Sequence, residues 1–341
     1  MTLMLSKPDV AGLLVMNEMI AEMQAGFLAF AKGEIQQPQR LRIATSDGCG
    51  YGAFMPCYIP GEGMAVKINT NFRGNPALGL PRILGLLVLL DTSTGAPLAI
   101  MDSTAITAFR TAAASGVAMR HLSREDASTL GVLGSGTLAL PHILAATSVR
   151  DIRRIRVYSP HISSRRDEFL AAAREAVGVP VDIADSAKEV VSSSDILIIC
   201  TSSSEPVLDG SWIRPATCIV AVGNATPDSR ELDSMVVKRS RVICDSSRAC
   251  LVEAGDLLIP LNEGCISTAH VAHDLGDILL GREPAVRNAD DIVLFKSVGL
   301  AFEDLVASRF VYLKAVAAGI GESFDFLRVR ARALVNELGG G

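Results

Sequence analysis

The stretch from residue 129 to 140, which reads TLGVLGSGTLAL, constrains the fold of this 341-residue chain more than any other. An apolar run that ends at Leu133 is followed at once by the spacing G-x-G-x-x-A, formed by Gly134, Gly136 and Ala139. The first glycine permits a tight turn, the second lets a pyrophosphate approach the backbone, and the alanine lets a helix pack closely on the strand. The free N–H groups and the dipole at the start of that helix favour phosphate. The sequence therefore predicts a strand, a glycine turn and a helix that together bind a dinucleotide.

The chain beyond this turn alternates short apolar strands with helices. A polar and charged segment, 123–128, precedes it and is interpreted as a domain boundary. Strands that alternate with helices are typical of a parallel, doubly wound sheet. We predict a helix over 166–176 and strands at 130–133, 155–158, 181–183, 196–200, 218–222 and 241–244, with a further apolar run at 294–299.

The chain before residue 123 has a different order of helices and strands. One amphipathic helix is predicted over 9–32, capped by Asp9 and ended by Gly33. Short strands separated by glycine and proline indicate a mixed or antiparallel sheet, in which the turn at 91–95 closes a hairpin. A helix capped by Asp102 or Ser103 follows. The predicted elements are strands at 41–45, 51–59, 64–69, 83–91 and 98–101, a helix over 104–121, and a last helix over 300–318 that returns to this part of the chain.

Together these patterns predict an α/β protein in which a Rossmann domain, a doubly wound parallel sheet, is joined to a second, α+β domain. The expected limits are 126–304 for the Rossmann domain, and 1–125 with 305–341 for the second domain. No internal repeat is visible, and only the tail at 339–341 is expected to be disordered.

Composition excludes several classes of protein. Hydrophobic residues make up 49% of the chain, enough for one or two sizeable cores. The net charge of -5 and the lack of a basic run argue against a nucleic-acid partner. Seven scattered cysteines without a C-x-x-C pair are typical of a reduced, cytoplasmic protein. We see no signal peptide and no apolar run of about 18 residues, so no membrane association is expected.

Three basic residues are candidates for the chemistry. Arg110 falls within the apolar stripe of its predicted helix, four residues after Ile106, so its guanidinium needs a buried anion. A structural aspartate or glutamate and a substrate carboxylate both remain open as that anion. The alternation around Lys67 by itself favours a solvated lysine, and Arg40 taken alone is unremarkable. His270 and His273 have a metal-like spacing, but no further ligand completes a set, so no metal is expected.

The end of the second Rossmann strand selects the nucleotide. NAD enzymes carry an Asp or Glu there, which binds the ribose 2′-hydroxyl. After Tyr158 this sequence has hydroxyls and arginines instead, among them Ser159, Arg165 and Arg166. These groups suit a 2′-phosphate, although both arginines could equally lie on a helix surface. We predict NADP in preference to NAD, with NAD left open.

These residues together resemble the ornithine cyclodeaminase/mu-crystallin family, in the family's order from about residue 10 to 320. The resemblance implies a homodimer of two-domain subunits with an NAD(P)-binding Rossmann domain. It also implies a second domain, built from both chain ends, that supplies dimer contacts and much of the substrate site. Members include ornithine and lysine cyclodeaminases, an alanine dehydrogenase and reductases of imino acids. The matching stretches are 38–40, 55–58, 66–67, 74–75, 79–81, 90–91, 94–99, 101–102, 106–113, the glycine turn, 253–256, 275–277 and 295–299.

The resemblance also assigns roles to residues. The family's carboxylate clamp maps onto Arg40, Lys67 and Arg110, which reverses the interpretation of Lys67 and Arg40 from pattern alone. The segment 297–299 is similar to the family's stretch near the nicotinamide. The predicted cofactor-binding residues are Gly134, Ser135, Gly136, Thr137, Leu138, Ser159, His161, Arg165, Thr201, Val222, Gly223, Ser297 and Gly299. Within the glycine turn, Thr137 and Leu138 depart from the family pattern, which usually has a glutamine at the second of these positions.

One departure from the family pattern separates two activities. Cyclodeaminases and the alanine dehydrogenase carry an aspartate two residues after Gly223, where it acts on the substrate amine, but this sequence has Ala225. A methyl group cannot accept a proton, so oxidation of an amine loses its expected base. The imine-reducing members, mu-crystallin among them, resemble this version, with a small residue there.

The sequence therefore favours an NADPH-dependent reductase of a small-molecule imino acid. The expected substrate is a cyclic 2-imino acid such as 1-pyrroline-2-carboxylate, which would yield L-proline. A cyclodeaminase or amino-acid dehydrogenase with Asp228 as a substitute base remains an alternative. A reductase of linear imines such as iminosuccinate, with Arg73 as an extra cation, is another. A protein that binds NADP and a small ligand without turnover is the last.

Overall fold

The computed structural model describes residues 1–286 and 288–325. Their strands form two seven-stranded sheets, with helices packed against both. The strands are β1 Thr2–Leu5, β2 Leu41–Ala44, β3 Gly50–Ile59, β4 Gly63–Phe72, β5 Ile83–Leu90, β6 Pro97–Asp102, β7 Thr129–Leu133, β8 Arg154–Tyr158, β9 Val181–Ile183, β10 Ile196–Ile199, β11 Cys218–Ala221, β12 Ser240–Cys244, β13 Ile292–Lys296 and β14 Glu322–Phe324. The helices are α1 Lys7–Leu13, α2 Met16–Ala31, α3 Ser103–Leu122, α4 Ala139–Val149, α5 Arg166–Val177, α6 Ala187–Ser193, α7 Ser234–Arg239, α8 Ser247–Glu253, α9 Gly255–Asn262, α10 Leu275–Leu279 and α11 Ala301–Ala318.

The second half of the chain forms the predicted doubly wound sheet. All its strand pairs are parallel, in the order β12-β13-β11-β10-β7-β8-β9. From β7 the chain proceeds to β8 and β9 on one side, and then to β10 and β11 on the other. The strand order therefore reverses beside β7, the strand that leads into the glycine turn. In open α/β sheets a ligand binds in the crevice at this point of reversal.

The first sheet is mixed, in the order β14-β1-β6-β5-β4-β3-β2. Strands β2 to β6 pair antiparallel in sequence, and the predicted hairpin joins β5 to β6. Only β1 and β6 pair parallel. The sequence analysis missed the two short strands β1 and β14, which pair with each other from opposite ends of the described chain.

The single helix predicted over 9–32 is wrong. The chain forms α1 and α2, which meet at an angle of 86° because Leu14 and Val15 adopt extended backbone. Asp9 is not the N-cap; it is the third residue of a capping box that begins at Ser6. Gly12 stands in the last turn of α1, but apolar residues continue through the bend, so periodicity alone does not reveal it. Gly33 does follow the helix end, with a left-handed φ of 76°.

Helix α11 returns to the first half of the chain, as predicted, and packs against α2, α3, β3 and β4. Phe302 contacts Phe27 edge-on and stacks on Phe30, with ring centroids 5.1 and 5.3 Å apart. The same helical turn brings Glu303 and Asp304 into the interior, where both are buried. The expected domain limit at 304/305 falls inside this helix; the limits themselves stay a prediction. Residues 326–341, and with them the tail at 339–341, lie outside the described residues.

Three further features of the sequence analysis are His270, the cysteines and the apolar helices. His270 lies on a short 3-10 turn at Thr268–Val271, and its Nε2 lies 2.8 Å from the Val237 carbonyl oxygen. The seven cysteines all fall within the described residues and are unpaired. In the part of the chain that the structure describes, no single helix is long and apolar enough to cross a membrane, and only the bent pair α1–α2 reaches that length and composition.

Candidate active site

The glycine turn has the geometry that the sequence predicts. Gly134 has a φ of 112°, and a Cβ there would lie 2.7 Å from the carbonyl oxygen of Cys200, so no other residue fits without strain. Its N–H donates to the carbonyl oxygen of Tyr158 at 2.9 Å, which fixes the turn beside the end of β8. A Cβ on Gly136 would meet nothing within 4 Å, so the space over the second glycine is open.

This turn fits a bound dinucleotide. Ala139 is fully buried, and α4 starts there directly against the strand. Among the described residues, none accepts a hydrogen bond from the amides of Ser135, Gly136 or Thr137. Unpaired amides at a helix start are the donors that phosphate oxygens need. The chain thus offers a phosphate site of its own backbone at the point where the strand order reverses.

Several predicted cofactor residues follow the carboxyl ends of neighbouring strands. Thr201 comes after β10, and both its N–H and its hydroxyl donate to Glu231 Oε1 at 2.7 Å. Gly223 comes after β11, and a Cβ there would collide with the Thr201 carbonyl oxygen. Ser297 follows β13. The ends of β10, β11 and β13 therefore form one edge with the glycine turn, as parallel strands require.

The end of β8 carries no carboxylate. Ser159 is half-buried directly after Tyr158, and His161 and Arg165 are exposed. Arg165 precedes α5, and the helix start at Arg166 is also exposed, so the alternative of a plain helix surface applies to both arginines. The structure brings Ser159 next to the glycine turn and leaves the arginines at its periphery.

Lys67 and Arg110 lie in one buried ion cluster with α11. Lys67 Nζ lies 2.8 Å from Asp304 Oδ1 and 2.7 Å from its Oδ2. Arg110 Nε donates to the same carboxylate at 3.1 Å, and its Nη1 donates to Glu303 Oε2 at 2.6 Å. The structural carboxylate that the sequence analysis left open for Arg110 is therefore present, and it is a pair. The solvated lysine that the strand pattern favoured is wrong: Lys67 is 1% exposed, because α11 covers β4.

Burial shifts the pKa values in this cluster. It lowers the pKa of Lys67 to about 8, against the attraction of Asp304. It raises the pKa of Glu303 to about 7, although Arg110 favours the carboxylate. Burial alone would lower the pKa of Arg110, but Asp304 and Glu303 raise it above its usual range. Arg110 therefore stays charged at any working pH, whereas Lys67 can change its charge in mildly alkaline solution.

Arg40 reaches the same place from the loop before β2. Its Nη2 donates to the carbonyl oxygens of Val298 and Gly299 at 2.6 and 2.7 Å, and its Nε lies 2.7 Å from Glu253 Oε2. A Cβ on Gly299 would lie 2.6 Å from Arg110 Nη1. The two arginines thus approach Gly299 from different elements, and Lys67 is joined to Arg110 through the shared Asp304 carboxylate.

A cavity of about 160 Å³ opens beside Arg40. Its wall combines apolar side chains with polar ones, an arrangement that suits a small ligand carrying a charged group. Lys67 and Arg110 do not line this cavity; both are buried. The lining includes Phe30, Met55, Leu300, Gln39, Arg40, Arg248, Glu253 and Gly299.

Ala225 lies on the loop after β11. Its carbonyl oxygen accepts from Arg42 Nη2 at 3.3 Å, a contact from the first sheet to the second. Lys296 Nζ holds the preceding residue by donating to the Asn224 carbonyl oxygen at 2.7 Å. Asp228 and Arg73, which the alternative functions require, are both exposed.

Sequence reasoning missed the acidic half of the site. Glu303 and Asp304 occupy the first turn of α11, and two adjacent acids there, between Phe302 and Leu305, were the available signal. Glu253 was noticed only within a matching stretch. Asp245 was not noticed at all, although it directly follows the buried strand β12, a position at the same sheet edge as the glycine turn.

The fold and this site define an NAD(P)-dependent oxidoreductase of two domains. The chain belongs to the ornithine cyclodeaminase/mu-crystallin family, whose family model matches residues 1–319.

Individual relatives agree over nearly the whole chain. A Delta(1)-pyrroline-2-carboxylate reductase of Bacillus cereus is 32% identical over 326 residues, which cover 95% of this chain and 100% of that protein. The structure of Thermococcus litoralis Delta(1)-pyrroline-2-carboxylate reductase in complex with NADH and L-proline is 38% identical, with a TM-score of 0.91 and coverage of 95% and 100%. An archaeal alanine dehydrogenase dimer with bound NAD is 28% identical, with a TM-score of 0.89 and coverage of 96% and 99%.

Proposed function

We propose that this protein reduces a cyclic 2-imino acid, such as 1-pyrroline-2-carboxylate, to the L-amino acid, here L-proline, with NADPH. The observation that carries the proposal is that Arg40 and Arg110 both approach Gly299, in the segment after β13 at the carboxyl edge of the dinucleotide sheet, while Lys67 shares the Asp304 carboxylate with Arg110. Reductases of this substrate among the relatives support the same choice.

Each part of the site has a role in this reaction. Bound NADPH supplies the hydride, which is delivered to the C2 carbon of the imine. In this proposal Arg40, Lys67 and Arg110 hold the substrate carboxylate: Arg40 lines the cavity, whereas Lys67 and Arg110 bind the substrate by exchanging contacts with Asp304 and Glu303 for it. A cation beside the substrate favours an electron-poor C=N carbon. The imine nitrogen takes a proton before or during the transfer, from the Lys67 ammonium or from water. Residues 134–138 would bind the pyrophosphate, the segment 297–299 would lie near the nicotinamide, and Thr201, Val222 and Gly223 are further cofactor-binding residues.

Ala225 favours reduction of an imine over oxidation of an amine. Oxidation of an amine needs a base that keeps its nitrogen neutral, and the methyl group of Ala225 cannot serve. Asp228, the substitute base of the alternative reading, is exposed three residues further along the loop. Reduction of an imine needs no such base, so the loop favours the reductase over a cyclodeaminase or an amino-acid dehydrogenase.

The test compares both directions in one preparation. We expect turnover of 1-pyrroline-2-carboxylate with NADPH, followed at 340 nm on the NADPH absorbance, and little or no release of ammonia from ornithine with NAD. Ala225→Asp is the matched variant, since it restores only the carboxylate. Ornithine deamination by the wild type at a kcat on the order of 1–10 per second would refute the reductase. Tight binding of NADPH without turnover of any imino or amino acid would favour a binding protein.

We propose NADPH as the preferred cofactor, because Ser159 and its neighbours leave the 2′-position without a carboxylate. Ser159→Asp is expected to move the ratio of kcat/KM for NADPH over NADH at least about tenfold toward NADH, since a carboxylate repels the 2′-phosphate and accepts from the 2′-hydroxyl. Ser192→Asp, on the exposed face of α6, adds the same charge away from the site and serves as the control. A wild type that clearly prefers NADH would contradict the proposal.

A pH dependence follows from the lowered pKa of Lys67. The ammonium that binds the substrate carboxylate is present below about pH 8 and is lost as the pH rises through that value. KM for the imino acid should therefore rise about tenfold per pH unit above it. Lys67→Arg keeps its charge throughout, so the break should disappear from its pH profile. The same break in both proteins would mean that the substrate nitrogen titrates instead.

We further propose a homodimer in the cytoplasm. A dimer is supported by exposed apolar side chains on the first sheet, such as Leu41, Ile43 and Leu86, and by the dimeric archaeal relative. The unpaired cysteines, five of them buried, suit a reducing compartment. The domain limits that we propose remain 126–304, and 1–125 with 305–341.

A further inference from the structure

Asp245 is a buried carboxylate at the carboxyl end of β12 that takes no part in the functions assigned above. It is 1% exposed. Its Oδ2 accepts three hydrogen bonds, from Ser297 Oγ and from the amides of Val298 and Gly299, each at 2.8 Å. Its Oδ1 accepts from the amide of Ser246 at 2.7 Å. Hydrogen bonds to an ionised carboxylate are about twice as strong as neutral ones, so Asp245 fixes this segment firmly.

These bonds decide where the carbonyl groups of the segment point. With the amides of Val298 and Gly299 taken by Asp245, the carbonyl oxygens of the same two residues are available to Arg40, whose Nη2 lies 2.6 and 2.7 Å away. The segment is thus the link between a buried anion and an arginine at the cavity.

The other side of the segment meets the second arginine. Gly299 has a φ of 79°, in the left-handed region that favours glycine, and a Cβ there would lie 2.6 Å from Arg110 Nη1. The backbone of Gly299 therefore separates two guanidinium groups at close range. Any shift of the segment would change the spacing of both.

We propose that Asp245 is a positioning residue for recognition of the substrate carboxylate: it holds the Ser297–Gly299 backbone so that this backbone orients Arg40. The inference rests on the proposed function, and it adds a residue that touches neither the substrate nor the cofactor. Glu253 holds the same guanidinium through its Nε, so Asp245 and Glu253 fix it from two directions.

Asp245→Asn tests this role, because it keeps the size of the side chain and removes its charge. KM for 1-pyrroline-2-carboxylate should rise about tenfold or more, while kcat changes less than about threefold and the Kd of NADPH less than about twofold. A purely structural role would lower Tm without this split.

Asp195→Asn is the matched control. Asp195 Oδ2 also accepts three hydrogen bonds, from the amides of Ser128 and Thr129 at 3.0 Å and from Thr129 Oγ1 at 2.7 Å. It lies at the opposite, amino-terminal edge of the same sheet, where β7 and β10 begin. Its variant should lower Tm but leave KM unchanged. An equal rise of KM in both variants would overturn the proposal.

A double-mutant comparison identifies the route of the effect. If Asp245 acts through Arg40, then Asp245→Asn should raise KM less than about twofold when Arg40 is already alanine. The full rise in both backgrounds would overturn the proposal. If Asp245→Asn does not fold, Asp245→Glu, which keeps the charge but displaces the carboxylate, carries the same comparison.

The experiments distinguish failure of the proposed function from failure of the positioning role of Asp245. A wild type that reduces no imine refutes the function, whereas an active wild type with an unchanged KM in Asp245→Asn refutes only the positioning role. A crystal structure of the variant tests that role without turnover: the Arg40 guanidinium should lose its contacts with the carbonyl oxygens of Val298 and Gly299. Retention of both contacts would overturn it.

Discussion

Arg110→Lys is expected to lower kcat/KM for the imino acid by about 2–4 kcal/mol of transition-state binding, the range for truncating one partner of a desolvated charge pair. A lysine keeps the charge but loses the planar fork. In this structure the fork spans Asp304 and Glu303, and its Nη1 atom borders Gly299. The ammonium of lysine can pair well with only one of these two carboxylates. The other carboxylate is then held less firmly, and the substrate carboxylate should bind more weakly.

Steady-state kinetics and NADPH titration check this expectation together. The Kd of NADPH should barely change, because Arg110 belongs to α3 of the first half of the chain. Arg150→Lys is the control, because it also replaces a planar guanidinium with an ammonium. The Arg150 guanidinium donates to the carbonyl oxygens of Arg120, Ser123 and Arg124, at the opposite end of α4 from the glycine turn. An unfolded Arg110→Lys, or one that loses NADPH binding to the same extent, would show that Arg110 is only structural.

Asp304→Asn is expected to lower the free energy of unfolding by about 3–5 kcal/mol, the cost of removing one partner of a buried ion pair. Asp304 is 1% exposed and serves Lys67 and Arg110 at once. The amide of asparagine would leave the Lys67 ammonium without a full negative charge in a site where burial already disfavours it. Arg110 would keep Glu303.

The midpoint of urea-induced unfolding measures this loss. The double variant Lys67→Met with Asp304→Leu removes both charges and should recover most of the stability, because an apolar pair needs no counter-ion. It should remain inactive, which separates the two roles of Lys67. A loss below about 1 kcal/mol in Asp304→Asn would mean that the shared carboxylate does not hold the cluster together.

The parts of this molecule that local patterns describe were predictable. The glycine turn, the strands on both sides of it and the cap of α3 at Asp102 follow from rules that act within a few residues, and the structure confirms them. Burial of Arg110 followed from its place in an apolar stripe. Its partners did not, because Glu303 and Asp304 lie 193 and 194 residues further along the chain.

Lys67 shows most clearly what a local sequence pattern cannot predict. Alternation along β4 places Lys67 on a face with polar residues, and that face would be exposed to solvent if no other element covered it. Helix α11 does cover it, from the far end of the chain, and turns a surface lysine into a buried one. The bend between α1 and α2 is similar: Gly12 is the local residue beside it, but the apolar pattern runs on through it. The family resemblance names Lys67 as a clamp residue where the pattern does not, and that role stays a prediction.

The return of α11 also has a consequence for how the protein is made. On the ribosome, Lys67 and Arg110 emerge long before residues 303 and 304, so the growing first sheet carries two cations without their counter-ions. The Rossmann sheet between them is continuous in sequence and can fold as soon as its last strand, β13, is synthesised. Vectorial synthesis therefore favours completion of the nucleotide domain first. Lys67 and Arg110 therefore gain their buried carboxylate partners only after α11 has been translated.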